Sequence, residues 1–186
     1  MYRGIDPFDM EDESIDPDAG EPDELETSGR IGDFMDIMEV SERPSFLIAQ
    51  LVEVWERSVK ATHLFLSDCE RETIKQFVPQ ALKEIPHLVV AQKGGKVPVA
   101  FMGVEAQRLE MLFLSPEERG RGLGRQLLEY GIRQFSIREL TVNEQNPLAK
   151  GFYEHMGFQV YKRTECDEQG NPYPLLYMTL NNGTFG

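Results

Sequence analysis

A loop that alternates arginine with glycine, residues 119–125, is the part of the chain best suited to chemistry. An apolar, strand-like segment precedes the loop and an amphipathic segment follows it. Its charged and flexible residues are Arg119, Gly120, Arg121, Gly122, Gly124 and Arg125. Closely spaced glycines leave backbone amides uncovered, the start of a helix adds partial positive charge, and guanidinium groups suit phosphate. The pattern therefore predicts a pyrophosphate-binding loop.

The spacing of these glycines excludes two common nucleotide sites. Gly120, Gly122 and Gly124 are evenly spaced at two, whereas the dinucleotide fingerprint requires Gly-x-Gly-x-x-Gly. The terminal Gly-Lys-Ser or Gly-Lys-Thr of a P-loop is absent. An arginine- and glycine-rich nucleic-acid segment would lie in a disordered tail rather than between a strand and a helix, so nucleic acid is not the expected partner.

Apolar periodicity predicts the elements that position this loop. Strands are predicted at 34–40, 87–92, 97–105, 108–114, 139–143, 158–163 and 175–180, and helices at 45–61, 68–85, 122–135 and 147–156. The resulting order, βααβββαβαββ, indicates a mixed α/β sheet that is covered by helices on both faces.

Two motifs in this order resemble the GNAT superfamily of N-acetyltransferases. Arg119-x-x-Gly122-x-Gly124 matches the family's Arg/Gln-x-x-Gly-x-Gly/Ala loop. The segment from Asn146 to Phe158, with its Ala, Phe-Tyr and Gly-Phe, resembles the later family motif. The resemblance covers roughly residues 34–182. It implies a mostly antiparallel central sheet that is splayed at an acetyl-CoA site.

The resemblance also implies which residues hold the coenzyme. Backbone groups of the strand before the loop would bind the pantetheine arm, loop amides would bind the pyrophosphate, and a downstream asparagine would bind the arm near the thioester. In this chain the implied contacts are Leu112, Phe113, Leu114, Arg119, Gly120, Arg121, Gly122, Leu123, Gly124, Arg125 and Asn146. For Asn146, a simple helix cap is the alternative.

Three residues are candidates for proton transfer. The resemblance implies that Tyr153 protonates the departing thiolate, and a thiol pKa near ~8.5 and a phenol pKa near ~10 make that transfer close to balanced. The alternative is a core tyrosine with a local hydrogen bond. A lysine-like amine has a pKa of about 10.4, so a base or a water chain must remove its proton. Glu110 and His63 are the candidates, and the alternatives are a solvated strand carboxylate and a loop histidine without a role.

Composition places the acidity outside this domain. Of the net charge of −13, residues 1–27 contribute −10, because they contain eleven Asp or Glu and one basic residue, Arg3. We expect residues 1–33 to form a disordered acidic tail and residues 34–182 to form the domain. No apolar run suits a membrane span and no secretory signal is visible. Two cysteines without metal spacing fit a cytoplasmic protein that needs no metal.

These features predict an enzyme that moves an acetyl group from acetyl-CoA to a primary amine by direct attack in a ternary complex. A strand amide near Leu112 to Leu114 would stabilise the oxyanion. A coenzyme sensor without turnover and an interaction protein that acts through its acidic tail are the competing hypotheses. The amine acceptor is left open because acceptor choice depends on the groove rather than the fold. A homodimer is also left open.

Overall fold

The computed structural model of the chain describes residues 35–181, so the segment predicted as an acidic tail lies outside the described residues. The strands are β1 Met35–Glu39, β2 His87–Lys93, β3 Val97–Glu105, β4 Arg108–Leu114, β5 Glu139–Asn143, β6 Phe158–Thr164 and β7 Leu175–Leu180. The helices are α1 Ser45–Thr62, α2 Asp68–Lys75, α3 Val78–Glu84, α4 Leu123–Phe135 and α5 Pro147–His155, with a 3-10 turn at Pro116–Glu118.

The seven strands form one open, mixed sheet in the order β1-β2-β3-β4-β5-β7-β6. Every neighbouring pair is antiparallel except β4 and β5, which run parallel. The predicted fold class, a mostly antiparallel mixed sheet, is confirmed.

Helices pack on both faces of the sheet and enclose two hydrophobic cores. One core joins α4 and α5 to residues such as Leu112 and Leu114 of β4. The other joins α1, α2 and α3 to residues such as Met111 and Phe113 of the same strand. Successive residues of a strand point to opposite faces, so β4 contributes alternately to both cores.

The helix predicted at 68–85 is wrong as a single element. The structure contains two short helices, α2 and α3, separated by Gln76 and Phe77. Pro79 explains the break, because proline has no amide to donate to the carbonyl four residues earlier and its ring clashes with that carbonyl. The residue four positions earlier is Lys75, where α2 ends. Phe77, which lies in this break, is 61% exposed.

Candidate functional site

The glycines of the loop occupy backbone conformations that other residues avoid. Gly120 and Gly122 have φ values of 70° and 76°, in the left-handed region that costs a residue with a Cβ. Gly122 is the N-cap of α4, and Gln126 N donates to Gly122 O at 3.0 Å. In an α-helix the amides before that first bond point out of the N-terminal end. The arrangement is suited to an anion, as the sequence predicts.

The three arginines of the loop do not converge on one point. Arg119 turns inward, and its Nη2 donates to Ser58 O at 3.2 Å and to Ser58 Oγ at 3.3 Å in the last turns of α1. Arg121 and Arg125 have side chains that are 60% exposed. Each lies near a glutamate, with Arg121 Nη1 3.4 Å from Glu118 Oε2 and Arg125 Nε 2.8 Å from an oxygen of its own partner, Glu129. The Arg119 guanidinium therefore ties the loop to α1, and a coenzyme role for its backbone amide stays a prediction.

A gap opens between β4 and β5 immediately before this loop. The two strands pair only through Arg108 with Glu139 and Leu109 with Leu140. Beyond that point both strands continue, but among the described residues their backbones no longer pair with each other. The predicted coenzyme segment, residues 112–114, pairs with β3 along one edge and faces the gap with the other. The expected splay of the sheet is present.

Tyr153 lies in the core on the α4 and α5 face, where it is fully buried. Its ring meets Phe152 edge-on with centroids 5.2 Å apart and Phe158 at 6.0 Å. Leu112 and Leu114 of β4 belong to the same core. The structure thus places Tyr153 in the core that also contains Leu112 and Leu114, and its role as the acid stays a prediction.

Asn146 caps the N-terminus of α5. Its Oδ1 accepts a hydrogen bond from Ala149 N at 3.1 Å, and its side chain is 2% exposed. The capping alternative is therefore confirmed, because this bond satisfies one of the orphan amides of the first turn. A coenzyme contact is compatible with the cap and stays a prediction.

Glu110 occupies an irregular point of β4. Val104 of β3 pairs with Leu109, whereas Gly103 pairs with Met111, so Glu110 is the extra residue of a β-bulge. Its side chain is buried, with 3% of the residue exposed, and Glu110 Oε1 lies 3.4 Å from Arg108 Nε. The alternative of a solvated carboxylate is wrong.

Arg108 lies beside the candidate site, and the sequence did not indicate it. It lies where β4 and β5 part and contacts Thr141 and Glu139 of β5. Its guanidinium carbon is 5.5 Å from the centre of the Tyr177 ring. No sequence signal could have identified this cluster, because its members come from strands that are distant in the chain.

His63 is the C-cap of α1 and is only 2% exposed. Its Nδ1 is 3.0 Å from Thr62 Oγ1, and its ring centroid is 5.4 Å from that of Phe65. Burial lowers the pKa of His63 to about 4, and the nearby Arg119 guanidinium adds to the lowering. His63 thus interacts electrostatically with Arg119 of the loop. Burial and this positive charge both disfavour protonation of the imidazole.

A cavity of about 600 Å³ lies on the α1–α3 face, with β4 as one of its walls. Its lining residues include Trp55, Ile74, Phe77, Met111, Phe113 and Tyr173. Trp55 and Ile74 belong to the buried core of this face and also line the cavity. The Tyr173 hydroxyl donates to the Glu70 carboxylate, which links the β6–β7 loop to α2.

Residues 35–181 contain no group of three His, Cys, Asp or Glu side chains placed to hold a metal ion. In the same range, no helix is long and apolar enough to cross a membrane.

Comparison with known proteins places these features in a family. Residues 55–179 match the family described as acetyltransferase (GNAT) domain. The chain is 42% identical over 127 residues to the peptidyl-lysine N-acetyltransferase YjaB of Salmonella typhimurium. The matched segment covers 68% of this chain and 87% of that relative.

Two solved structures share the fold. The solution structure of apo-form YjaB from Escherichia coli matches with a TM-score of 0.70 and 39% identity, over 78% of this chain and 97% of that one. An aminoglycoside 6'-N-acetyltransferase complexed with coenzyme A matches with a TM-score of 0.54 over 77% of this chain and 94% of that one. Its identity of 14% supports the fold alone.

Proposed function

The chain belongs to the GNAT family of acetyltransferases, and from this premise we propose that it transfers an acetyl group from acetyl-CoA to the side-chain amine of a lysine in a polypeptide. The observation that carries the proposal is the gap between β4 and β5, which leads to the glycine turn and the start of α4. The lysine acceptor is supported by the 42% identity to a peptidyl-lysine N-acetyltransferase.

The coenzyme would lie along the gap. Its pyrophosphate would accept hydrogen bonds from amides between Arg119 and Gly124, where the helix start favours negative charge. Its pantetheine arm would bond the unpaired edge of Leu112 to Leu114 as a further strand would. The match of residues 55–179 to an acetyltransferase (GNAT) domain supports this choice of donor.

The chemical step would be a direct attack within the ternary complex. The neutral amine forms a bond to the thioester carbonyl carbon, and a β4 amide stabilises the oxyanion. The C–S bond then breaks, and the departing thiolate takes the phenolic proton of Tyr153. The site would thus hold the reacting atoms together, which accounts for much of the rate in two-substrate transfers.

Glu110 is the stronger candidate for the base that takes the amine proton. It lies at the bulge of β4, beside the point where the strands part. His63 is the other candidate; its pKa of about 4 is close to the ordinary glutamate pKa of about 4.3, so position rather than basicity separates the two residues. Glu110 could act directly or through a bound water.

The test is release of free thiol from acetyl-CoA in the presence of a lysine-containing peptide, followed by mass spectrometry of the peptide. We expect acetylation of the lysine side chain and no reaction of the same peptide with arginine in place of lysine. Tight coenzyme binding without acetylation of any lysine peptide would contradict the proposal and favour a coenzyme sensor.

A further inference from the structure

We propose that the cavity on the α1–α3 face receives a large apolar side chain, of the leucine or phenylalanine type, next to the acceptor lysine in the substrate polypeptide. This inference rests on the proposed function and narrows its substrate class. The cavity volume of about 600 Å³ falls within the range of about 300–1,000 Å³ that is typical of ligand sites.

The walls of the cavity favour an apolar occupant. Helices α1, α2 and α3 contribute Trp55, Ile74, Val78 and Ala81, and β4 contributes Met111 and Phe113. Phe77 comes from the break between α2 and α3. All of these side chains except Phe77 are buried, so the walls are held by the core behind them. Removal of apolar surface from water is the interaction such walls offer.

The position of the cavity connects it with the reacting centre. Met111 and Phe113 flank Leu112, which is one of the residues expected to bind the pantetheine arm from the gap. Glu110, the proposed base, directly precedes Met111. A side chain held against Met111 and Phe113 therefore lies beside the strand along which the thioester would be presented.

The rim of the cavity adds negative charge. Hydrogen bonds from Ser67 and Tyr173 lower the pKa of the Glu70 carboxyl to about 2, so this rim group is ionised at neutral pH. Asp167 lies close enough to Tyr173 to interact with it electrostatically. A cavity with apolar walls and an anionic rim suits an apolar side chain that neighbours a lysine cation, and it disfavours acidic sequences.

The mouth of the cavity suits a polypeptide. Phe77 lines the cavity although it is 61% exposed, so an apolar surface continues from the interior to the solvent edge. The opposite wall includes Gln169 and Asn171 of the β6–β7 loop, which Tyr173 fastens to α2 through Glu70. Amide side chains at such an edge can bond the backbone of an extended peptide.

The activity test compares two peptides that differ only in the residue next to lysine, leucine in one and serine in the other. Burial of a leucine side chain predicts a kcat/KM about 10- to 100-fold higher for the leucine peptide. In Phe77→Ala this preference should shrink several-fold, while Phe46→Ala, another exposed phenylalanine (69%) that does not line the cavity, should retain it. Equal kcat/KM for both peptides would overturn the inference.

A second readout does not depend on turnover. Trp55 is the only tryptophan of the chain and lines the cavity, so its fluorescence reports occupancy. The acetylated product peptide with leucine should change the emission saturably, and the serine product should require a concentration at least about 10-fold higher.

The two readouts separate the inference from the proposed function. Equal acetylation of both peptides with unchanged Trp55 emission would leave the function standing and overturn the inference. A saturable Trp55 response to the leucine peptide without acetylation of any lysine would support the cavity assignment while the proposed function fails. Equal turnover of a small apolar amine and the leucine peptide would overturn the assignment to polypeptides.

Discussion

The two faces of the sheet are built in different ways. The α4 and α5 face carries the proposed coenzyme site, whose residues come mainly from one stretch of chain, 108–158. The α1–α3 face carries the cavity, whose lining comes from α1, α2, α3, β4 and the β6–β7 loop. A site made from one stretch leaves a motif in the sequence, whereas a site assembled from distant segments does not.

The two faces of the sheet also differ in how closely their helices pack. On the α4 side, a Cβ added to Gly131 would lie 2.5 Å from Ile137 Cδ1 and 2.8 Å from Met102 Cε, so the helix contacts the sheet with no spare room. On the other face, the helices leave a cavity of about 600 Å³. The closely packed face is suited to holding one ligand in a fixed geometry, and the open face is suited to a variable acceptor.

Tyr153→Phe is expected to have the largest effect, and it tests whether the α4 and α5 face supplies the acid for acetyl transfer. Loss of the hydroxyl should slow acetyl transfer by roughly 10²- to 10⁴-fold, the usual contribution of a positioned general acid. Coenzyme affinity should stay within a few-fold, because the loop amides are intact. Single-turnover kinetics and calorimetry measure the two quantities, and Tyr161→Phe, a residue 52% exposed on β6, is the control. A normal rate in Tyr153→Phe would place the acid elsewhere.

Gly122→Val should act on binding rather than on chemistry. Its φ of 76° is strained for a β-branched residue, and a side chain there would disturb the amides at the start of α4. Loss of two hydrogen bonds to a charged group predicts about 10³-fold weaker coenzyme binding, or about 4 kcal/mol.

Calorimetry with coenzyme A measures this loss. Gly94→Val is the matched control, since it has a φ of 60° with open space around it in the β2–β3 turn. If Gly122→Val binds as tightly as the parent, the pyrophosphate site lies elsewhere.

The buried His63, at the end of α1, is expected to make the free energy of unfolding depend on pH. Its pKa is about 4 in the folded state against 6.5 in the unfolded state, so the unfolded chain binds more protons between these values. The His63 contribution to the free energy of unfolding is therefore fully present above about pH 6.5 and is lost as the pH falls towards 4, by about 3 kcal/mol.

Urea unfolding at several pH values measures this dependence. In His63→Gln the slope between pH 4 and 6.5 should decrease, while in His155→Gln, a change of an exposed residue, it should not. An unchanged slope in His63→Gln would show that the imidazole is solvated.

Two glycines in the helices of the α4 and α5 face test how closely α4 packs at Gly131. Gly131→Ala should destabilise the protein by no more than about 2 kcal/mol, because the new methyl group would displace the flexible ends of Ile137 and Met102 while the higher helix propensity of alanine offsets up to about 1 kcal/mol. Gly151→Ala on α5, where no atom lies within 4 Å of the added Cβ, should stabilise it by up to about 1 kcal/mol. Thermal unfolding of the two variants gives the comparison, and equal effects would contradict the difference in packing around these two helical positions.

Local sequence signals predicted most of the fold. The bounds of β3, β4, β5 and β7 agree with the predicted strands, since alternating apolar residues between turns carry a strong signal. The prediction of one helix at 68–85 was wrong because it followed the apolar periodicity and disregarded Pro79, although proline is itself a local signal for a helix break.

The candidate site was predictable only in part. Motifs located the glycine turn and the cap at Asn146. Gly122, predicted as the first residue of the helix, is instead its N-cap. The inward turn of Arg119 was not predictable, because its partner Ser58 lies 61 residues away. The bulge at Glu110 depends on the register between two strands, which no motif records.

Amide chemical-shift mapping tests the central claim, that coenzyme and acceptor bind on opposite sides of β4. Titration of the labelled protein with coenzyme A should perturb residues 112–114, 119–124 and Asn146. A leucine-containing lysine peptide, added next, should perturb residues that line the cavity, from Trp55 to Tyr173. Coenzyme shifts centred on the cavity, with residues 119–124 unchanged, would contradict the account.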